Sequence, residues 1–228
     1  MNEITYISLT TIPPRFENIG KTLECLLYQK AEIFEICLVI PKIYSRFPDW
    51  NGDLPQVPKG IKLLRCEKDL GPACKLFPTL HSIENIDSYV LYCDDDWEYQ
   101  PMWAQTFINN KLKNNSVIAS STFKVERLGK KNGSIVQGFG GVLVQKRFFT
   151  DEDYNIPSPY QWVDDIWIST CLCKNMISVE KNKQAKQFIK NGYRDNYELQ
   201  NATFLTKKRA ELNLAAVNYS SDRYKIWI

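Results

Sequence analysis

The chain alternates continuously apolar runs with stretches whose apolar residues recur at helical spacing. Runs at 4–9, 34–40 (FEICLVI) and 89–93 predict buried strands, since a half-exposed strand would alternate apolar with polar positions, and 61–66 predicts a further strand. Between the first two runs, Ile19, Leu23, Leu26 and Leu27 share one face of a helix predicted over 18–29. Strand, helix and strand in that order, with similarly buried strands, predict a parallel βαβ unit.

Pro13 and Pro14 end the first strand in a stiff loop, and Pro41 ends the second. Residues 44–60, rich in Pro, Asp, Gly and aromatics, read as a loop. Asp69-Leu70-Gly71-Pro72 is a turn signal, after which helical spacing resumes over 73–86, with Pro78 placed to shorten or kink it. Further helices are predicted over 102–112, 164–173 and 207–217. Strands are predicted over 117–122 and 136–145, the latter interrupted by Gly138-Phe139-Gly140-Gly141. Residues 151–159 form an acidic, Pro-containing loop, and 180–203 are polar without clear pattern. The expected architecture is α/β: one domain over 1–228, with a mostly parallel central sheet flanked by helices.

The fourth strand, Tyr89-Val90-Leu91-Tyr92-Cys93, runs directly into Asp94-Asp95-Asp96. In an open α/β sheet, ligands bind at the carboxyl ends of the strands. If the backbone stays extended, Asp94 and Asp96 point one way and Asp95 the other. Two hard oxygen ligands on one side suit Mg2+ or Mn2+, which are usually held by one or two carboxylates plus substrate phosphates. The alternative is a solvated acidic turn.

Composition narrows the class. With 44% hydrophobic and 24% charged residues, the chain is that of an ordinary globular protein. The net charge of +3 is too small to argue for nucleic acid. The charge is uneven: residues 174–228 carry eleven Lys/Arg against five Asp/Glu. That part is a solvated basic face or a peripheral contact with an anionic membrane surface. Seven cysteines without a C-x-x-C pair predict reduced, mostly buried thiols and a cytoplasmic protein. The lone histidine, His81, falls on a predicted helix and cannot supply a zinc site. The chain enters its first strand without a leader pattern. No apolar segment approaches the ~18 residues needed to span a bilayer.

Four further stretches carry candidate chemistry. Thr10, Thr11 and Arg15 follow the first strand and can offer hydroxyls and a cation, or simply form a rigid connector. Lys75 sits where the Gly71-Pro72 turn enters a helix, a place that attracts anions. The glycines of Gln137-Gly-Phe-Gly-Gly-Val142 mark a bulge or a close backbone approach. In Tyr160-Gln-Trp162-Val-Asp164-Asp165-Ile-Trp167, the acids suit a helix N-terminus, where one can cap while the other faces a pocket as general base. Tyr160 and Trp162 are suited either to stack on a sugar or to pack in a core.

Taken in order, these pieces resemble the GT-A nucleotide-sugar glycosyltransferases. The resemblance rests on Ser8-Leu-Thr-Thr-Ile-Pro-Pro-Arg15, Asp69-Leu-Gly-Pro-Ala-Cys-Lys75, the Asp94-Asp95-Asp96 "DxD" cluster, Gly140-Gly141 and Val163-Asp-Asp-Ile-Trp167. It looks most like the bacterial enzymes of polysaccharide synthesis and runs from about residue 4 to 173. The resemblance implies a Rossmann-like sheet, with 1–122 as the nucleotide-sugar-binding half and 123–228 as the acceptor-side half plus a C-terminal helical part. It implies transfer of a hexosyl or hexosaminyl group from a nucleotide-sugar, as UDP-sugar, to a glycan or lipid-linked acceptor, at the inner membrane face or in the cytoplasm. Thr10, Thr11, Arg15, Lys75, Asp94 and Asp95 would bind the donor, and Gly140 and Gly141 would shape the floor. Asp96 and Asp94 would hold Mn2+ or Mg2+. Asp165, or Asp164, would act as base, and Tyr160 and Trp162 would receive the acceptor. The chain departs from the pattern of many such enzymes in having no late histidine as a further metal ligand. Two rival readings stand beside this one: a non-catalytic relic of the same fold, and a sugar nucleotidyltransferase. The latter usually has a glycine-rich phosphate loop where this chain has Thr-Thr-Ile-Pro-Pro.

Overall fold

The structure, a computed structural model, describes residues 4–110, 115–199, 203–204 and 207–228. Strand β1 (Thr5–Thr10), helix α1 (Ile19–Leu27), β2 (Glu35–Pro41) and β3 (Ile61–Cys66) form the expected parallel beginning. Helix α1 buries Ile19, Leu23 and Leu26 as its spacing predicts, but Leu27 is exposed and Thr22 is buried instead. Next come α2 (Phe77–Ser82), β4 (Tyr89–Tyr92), β5 (Trp97–Tyr99), α3 (Trp103–Ile108), β6 (Ser116–Ala119), β7 (Thr122–Lys124), β8 (Ser134–Val136) and β9 (Val142–Gln145). The chain continues through α4 (Asp164–Lys174), β10 (Ser178–Lys181), β11 (Ile189–Asn191), the short β12 (Thr203–Phe204) and β13 (Lys207–Lys208), and α5 (Arg209–Tyr224).

The central sheet has seven strands in the order β10-β6-β9-β4-β1-β2-β3. All neighbours are parallel except β9, which runs antiparallel to both β4 and β6. β1 lies between β2 and β4, so strand order reverses there, and the crevice at that reversal is where an α/β sheet accepts ligands. Both faces are buried. In β4, Val90 and Tyr92 pack into one core with α2, α4 and α5, while Tyr89 and Leu91, followed by Cys93, pack into the other with α1 and α3. The two-residue alternation of a strand thus feeds two apolar layers, which is why the sequence shows a continuous run.

Several predicted boundaries change. The helix expected over 73–86 is α2 alone, preceded by a 3-10 turn at Gly71–Lys75. Pro78 lacks an N–H and fits only the first turn of a helix, so α2 starts beside it. The strand expected over 117–122 divides into β6 and β7, and the one over 136–145 divides into β8 and β9 around the glycines. The helix expected over 102–112 ends at Ile108, with 111–114 outside the described residues. The unpatterned stretch 180–203 supplies β11, which pairs antiparallel with β5. His81 is exposed on α2. No helix among the described residues is long and apolar enough to cross a membrane.

Candidate active site

The parallel register of β1 and β4, Ser8 opposite Tyr92, brings the loop after β1 beside the acidic turn after β4. A cleft of about 510 Å3 opens there. Its walls include Thr10, Thr11, Arg15, Lys75, the three acids Asp94–Asp96, Trp162, Asp164 and Asp165. Thr11 and Asp95, 84 positions apart in sequence, are thereby in hydrogen-bond contact.

The three acids do not alternate as an extended strand would. β4 ends at Tyr92, and Asp95 and Asp96 lie in a turn before β5. Asp95 is buried, accepts from Thr11 Oγ1 at 2.5 Å and pairs with Arg15 Nη1 at 2.5 Å. Asp96 approaches the same Arg15 nitrogen at 3.4 Å. Asp94 instead receives Lys75 Nζ at 2.6 Å. Asp95 is therefore the structural member of the cluster: Thr22 Oγ1 also donates to its carbonyl, at 2.8 Å, tying the turn to α1.

Lys75 joins the two halves of the cleft. Its buried ammonium contacts Asp94 at 2.6 Å and Asp164 at 2.8 Å. Burial opposes its charge, but the carboxylates of Asp164, Asp94 and Asp165 hold its proton affinity well above the ordinary lysine value. Arg15 is similarly enclosed: it also pairs with Asp195 through Nε at 2.7 Å, and its guanidinium lies 5.8 Å from the Tyr193 ring centre. Asp195 and Tyr193 come from the segment after β11, which the sequence showed only as an unpatterned polar stretch.

Two carboxyls are left with too little positive charge. Burial, then the Asp95 and Asp94 charges, push Asp96 up to about 7. Burial, then Asp164, push Asp165 up to about 7 as well. The cleft lining holds seven Asp/Glu against five Lys/Arg. A divalent cation would offset this surplus, and Asp94 and Asp96 both line the cleft. Among the described residues no three His, Cys, Asp or Glu side chains are grouped to hold a metal by themselves. The remaining ligands would come from substrate phosphates or water, the usual pattern for Mg2+.

The glycine segment approaches this centre differently from expectation. A Cβ on Gly138 would come within 2.5 Å of Lys75 Nζ and 3.0 Å of Asp94 Oδ1, so a side chain there would have to displace the Lys75 ammonium. The Gly138 N–H donates to Asp165 at 3.1 Å, and the Tyr99 hydroxyl donates to the carbonyls of Asp94 and Phe139 at 2.9 and 3.0 Å. Gly140 and Gly141 do not line the cleft: a Cβ on Gly140 would strike Ser120, and one on Gly141 would lie 2.5 Å from Trp103. They permit core packing, while Gln137 and Phe139 form the wall.

Other expectations need correction. Thr10 and Thr11 reach the cleft, but their hydroxyls are donated to Val39 O and Asp95. Tyr160 is fully buried, with its hydroxyl 2.8 Å from Ser220 on α5 and its ring against Trp167, so it packs the core rather than presenting to an acceptor. Trp162 does line the cleft, and its carbonyl accepts from Arg209 at the start of α5. Arg209 and Arg46 are lining cations that sequence reasoning missed; a basic residue at a helix start carries no distinguishing signal before the helix is placed.

No family model and no curated relative matches the sequence. Solved structures do. Glucosyl-3-phosphoglycerate synthase from Mycobacterium tuberculosis, solved with Mg2+ and UDP, aligns at 12% identity and a TM-score of 0.55, covering 99% of this chain and 80% of that one. The chain has the GT-A fold. The mannosyltransferase PcManGT from Pyrobaculum calidifontis, solved with GDP-Man and Mn2+, aligns at 12% identity and a TM-score of 0.49 over 78% of this chain and 54% of that one. S. aureus TarS 1-349 aligns at 16% identity and a TM-score of 0.46 over 80% and 59%. The chain thus spans between half and two thirds of the latter two proteins. The GT-A sheet accounts for the position of the acidic turn, at the strand-order reversal.

Proposed function

We propose that this chain is a metal-dependent glycosyltransferase that moves a sugar from a nucleoside-diphosphate sugar to a hydroxyl of a glycan or lipid-linked acceptor. The observation that carries the reading is the acidic turn at the carboxyl end of β4, facing Asp165 across one cleft whose lining holds more carboxylates than cations. A UDP-sugar is the proposed donor, supported by the UDP and Mg2+ in the similarly folded synthase. A hexosyl or hexosaminyl group, a role in polysaccharide synthesis and a cytoplasmic site are the finer parts of the proposal.

Asp96 and Asp94 are the proposed metal ligands. When bound, the divalent cation supplies positive charge where negative charge grows on the leaving phosphate. Arg15 and Lys75 hold the acidic turn in place, Arg15 through Asp95 and Lys75 through Asp94. Asp165 takes the proton of the acceptor hydroxyl: a carboxyl poised near 7 combines a large basic fraction with useful proton affinity. The Gly138 N–H orients it. Trp162 offers the acceptor an aromatic wall.

Thermal unfolding with UDP, with and without Mn2+, and with GDP, CDP and ATP as controls, tests the reading. Ligand at ~100 times its dissociation constant adds about 2.7 kcal/mol, a rise of roughly 5–10 °C for a domain of this size. A rise that requires UDP and Mn2+ together supports the proposal. Absence of a metal-dependent rise with every nucleotide makes the cleft a non-catalytic relic.

A further inference from the structure

Two cysteines face each other across the turn that carries Lys75. Cys66 is the last residue of β3, Cys74 lies in the 3-10 turn Gly71–Lys75, and their sulfurs are 4.0 Å apart. Contacts from the intervening loop hold them there. Asp69 accepts from the Ser45 and Gly71 backbone N–H groups at 2.7 and 2.8 Å. The Leu70 N–H points at Cys74 Sγ from 3.3 Å, and Cys66 Sγ lies 3.4 Å from the Lys68 carbonyl.

The two thiols are unequal. Cys66 is half-buried and Cys74 is buried. A hydrogen bond from Cys74 lowers the proton affinity of Cys66 more than burial raises it. The same contact, followed by burial, pushes the Cys74 thiol well up. Cys66 is the accessible thiol that ionises first, and Cys74 waits behind it, the arrangement of an attacking and a resolving cysteine.

We propose that Cys66 and Cys74 are a redox modification site whose disulfide displaces Lys75 from Asp94 and Asp164. The oxidant class is a low-molecular-weight disulfide. Cys66 thiolate attacks one of its sulfurs and expels one small thiolate, leaving a mixed disulfide on Cys66. Cys74 gives up its proton and attacks the Cys66 sulfur, expelling the second small thiolate. Two protein thiols are oxidised to one disulfide, and one small disulfide is reduced to two thiols.

The geometry couples this bond to the cleft. A disulfide requires a sulfur separation of about 2.05 Å, so the two sulfurs must close by roughly 2 Å. Cys66 is fixed by pairing with Pro41 of β2. The part of this movement that side-chain rotation does not supply falls on the single 3-10 turn, whose short run of hydrogen bonds resists it less than a sheet does. Lys75 is the next residue after Cys74, and its ammonium is drawn out of the contacts that join the two halves of the cleft. Loss of nucleotide binding on oxidation rests on the proposed function; formation of the bond and movement of the turn do not.

The test is titration of the full chain with oxidised glutathione. The expected result is loss of two hydrogens from the intact mass, a cross-linked 66–74 peptide, and faster amide exchange over 71–76. UDP binding in Mn2+ should weaken roughly tenfold or more, and dithiothreitol should reverse every change. Cys66→Ser should abolish these effects while leaving UDP binding by the reduced protein unchanged. Cys74→Ser should trap glutathione on Cys66. Wild-type protein that retains both thiols, or stops at a glutathione adduct, overturns the proposal. So does a disulfide that leaves exchange over 71–76 unchanged. Should the reduced protein bind no nucleotide, the glycosyltransferase reading fails, and mass and exchange still decide this one.

Discussion

Lys75 Nζ lies 2.8 Å from Asp164 Oδ2, with both side chains at 5% exposure or less. The pair links the turn after β3 to the start of α4, and Asp94 brings the acidic turn to the same ammonium. Removing the cation leaves two carboxylates facing each other in a buried site. Lys75→Met should destabilise the protein by about 3 kcal/mol, because a broken buried pair leaves uncompensated charge. Adding Asp164→Asn should recover part of that loss. Urea unfolding of the two single variants and the double variant measures the coupling; strictly additive losses would show that the pair is not a unit.

Asp96 should oppose stability while serving binding. Its carboxyl rises from the ordinary 3.8 to about 7 in the folded protein, so the folded state binds the proton more tightly than the unfolded one. The stability from this group is fully present below about pH 4 and is lost as pH rises through about 7. Asp96→Asn should therefore stabilise the metal-free protein by about 2 kcal/mol more at pH 8 than at pH 5. The same variant should lose the Mn2+-dependent part of UDP binding. Unfolding at the two pH values, followed by calorimetric titration with UDP and Mn2+, checks both halves; wild-type metal-dependent affinity in the variant would remove Asp96 from the site.

Asp165 separates donor binding from transfer. Asp165→Asn should keep UDP affinity within about twofold and cut transfer by about 10²–10⁴, the usual contribution of a positioned base. In the wild-type enzyme, transfer should climb as pH rises through about 7, when the carboxyl ionises. Single-turnover rates against pH give the comparison. A variant with the wild-type rate would reduce Asp165 to an acid in the first turn of α4.

Tyr160 and Trp162, two positions apart, should behave oppositely. Tyr160→Phe removes a buried hydroxyl that contacts Ser220, which should cost about 1 kcal/mol and leave transfer intact. Trp162→Ala should weaken acceptor use, seen as a raised acceptor KM, with little change in donor affinity. Chemical denaturation and acceptor titrations on both variants distinguish core from cleft; a KM effect at Tyr160 instead would reverse the assignment.

These two residues also show where sequence reading stops. Alternating aromatics before a helix mark a chain passing between core and surface, but which ring turns inward depends on α5, and Ser220 lies 60 residues away. The glycine segment is a similar case. Its composition announced a close approach, yet Gly138, not Gly140 or Gly141, lies against Lys75 and Asp94. Glycine signals that something approaches without saying what. The segment after β11 carried no signal: Asp195 and Tyr193 become part of the site only because Arg15 is there to meet them.

The sequence by itself determined the parallel βαβ beginning, the buried strands and the acidic end of the fourth strand. Those features are local: a strand buried on both faces must be continuously apolar, and prolines and glycines must stand where the backbone turns. It also singled out Asp94–Asp96, Lys75, Asp164 and Asp165, all of which line the cleft. Tertiary structure alone decided what each does. Asp95 became a structural acid because Thr11 and Arg15 close on it, Lys75 became a bridge because two carboxylates converge on it, and Asp96 and Asp165 are pushed up to about 7 because burial and neighbouring carboxylates outweigh the nearby cations. Pairings across 80 or more residues, and the burial that sets their energies, arise only when the chain has folded.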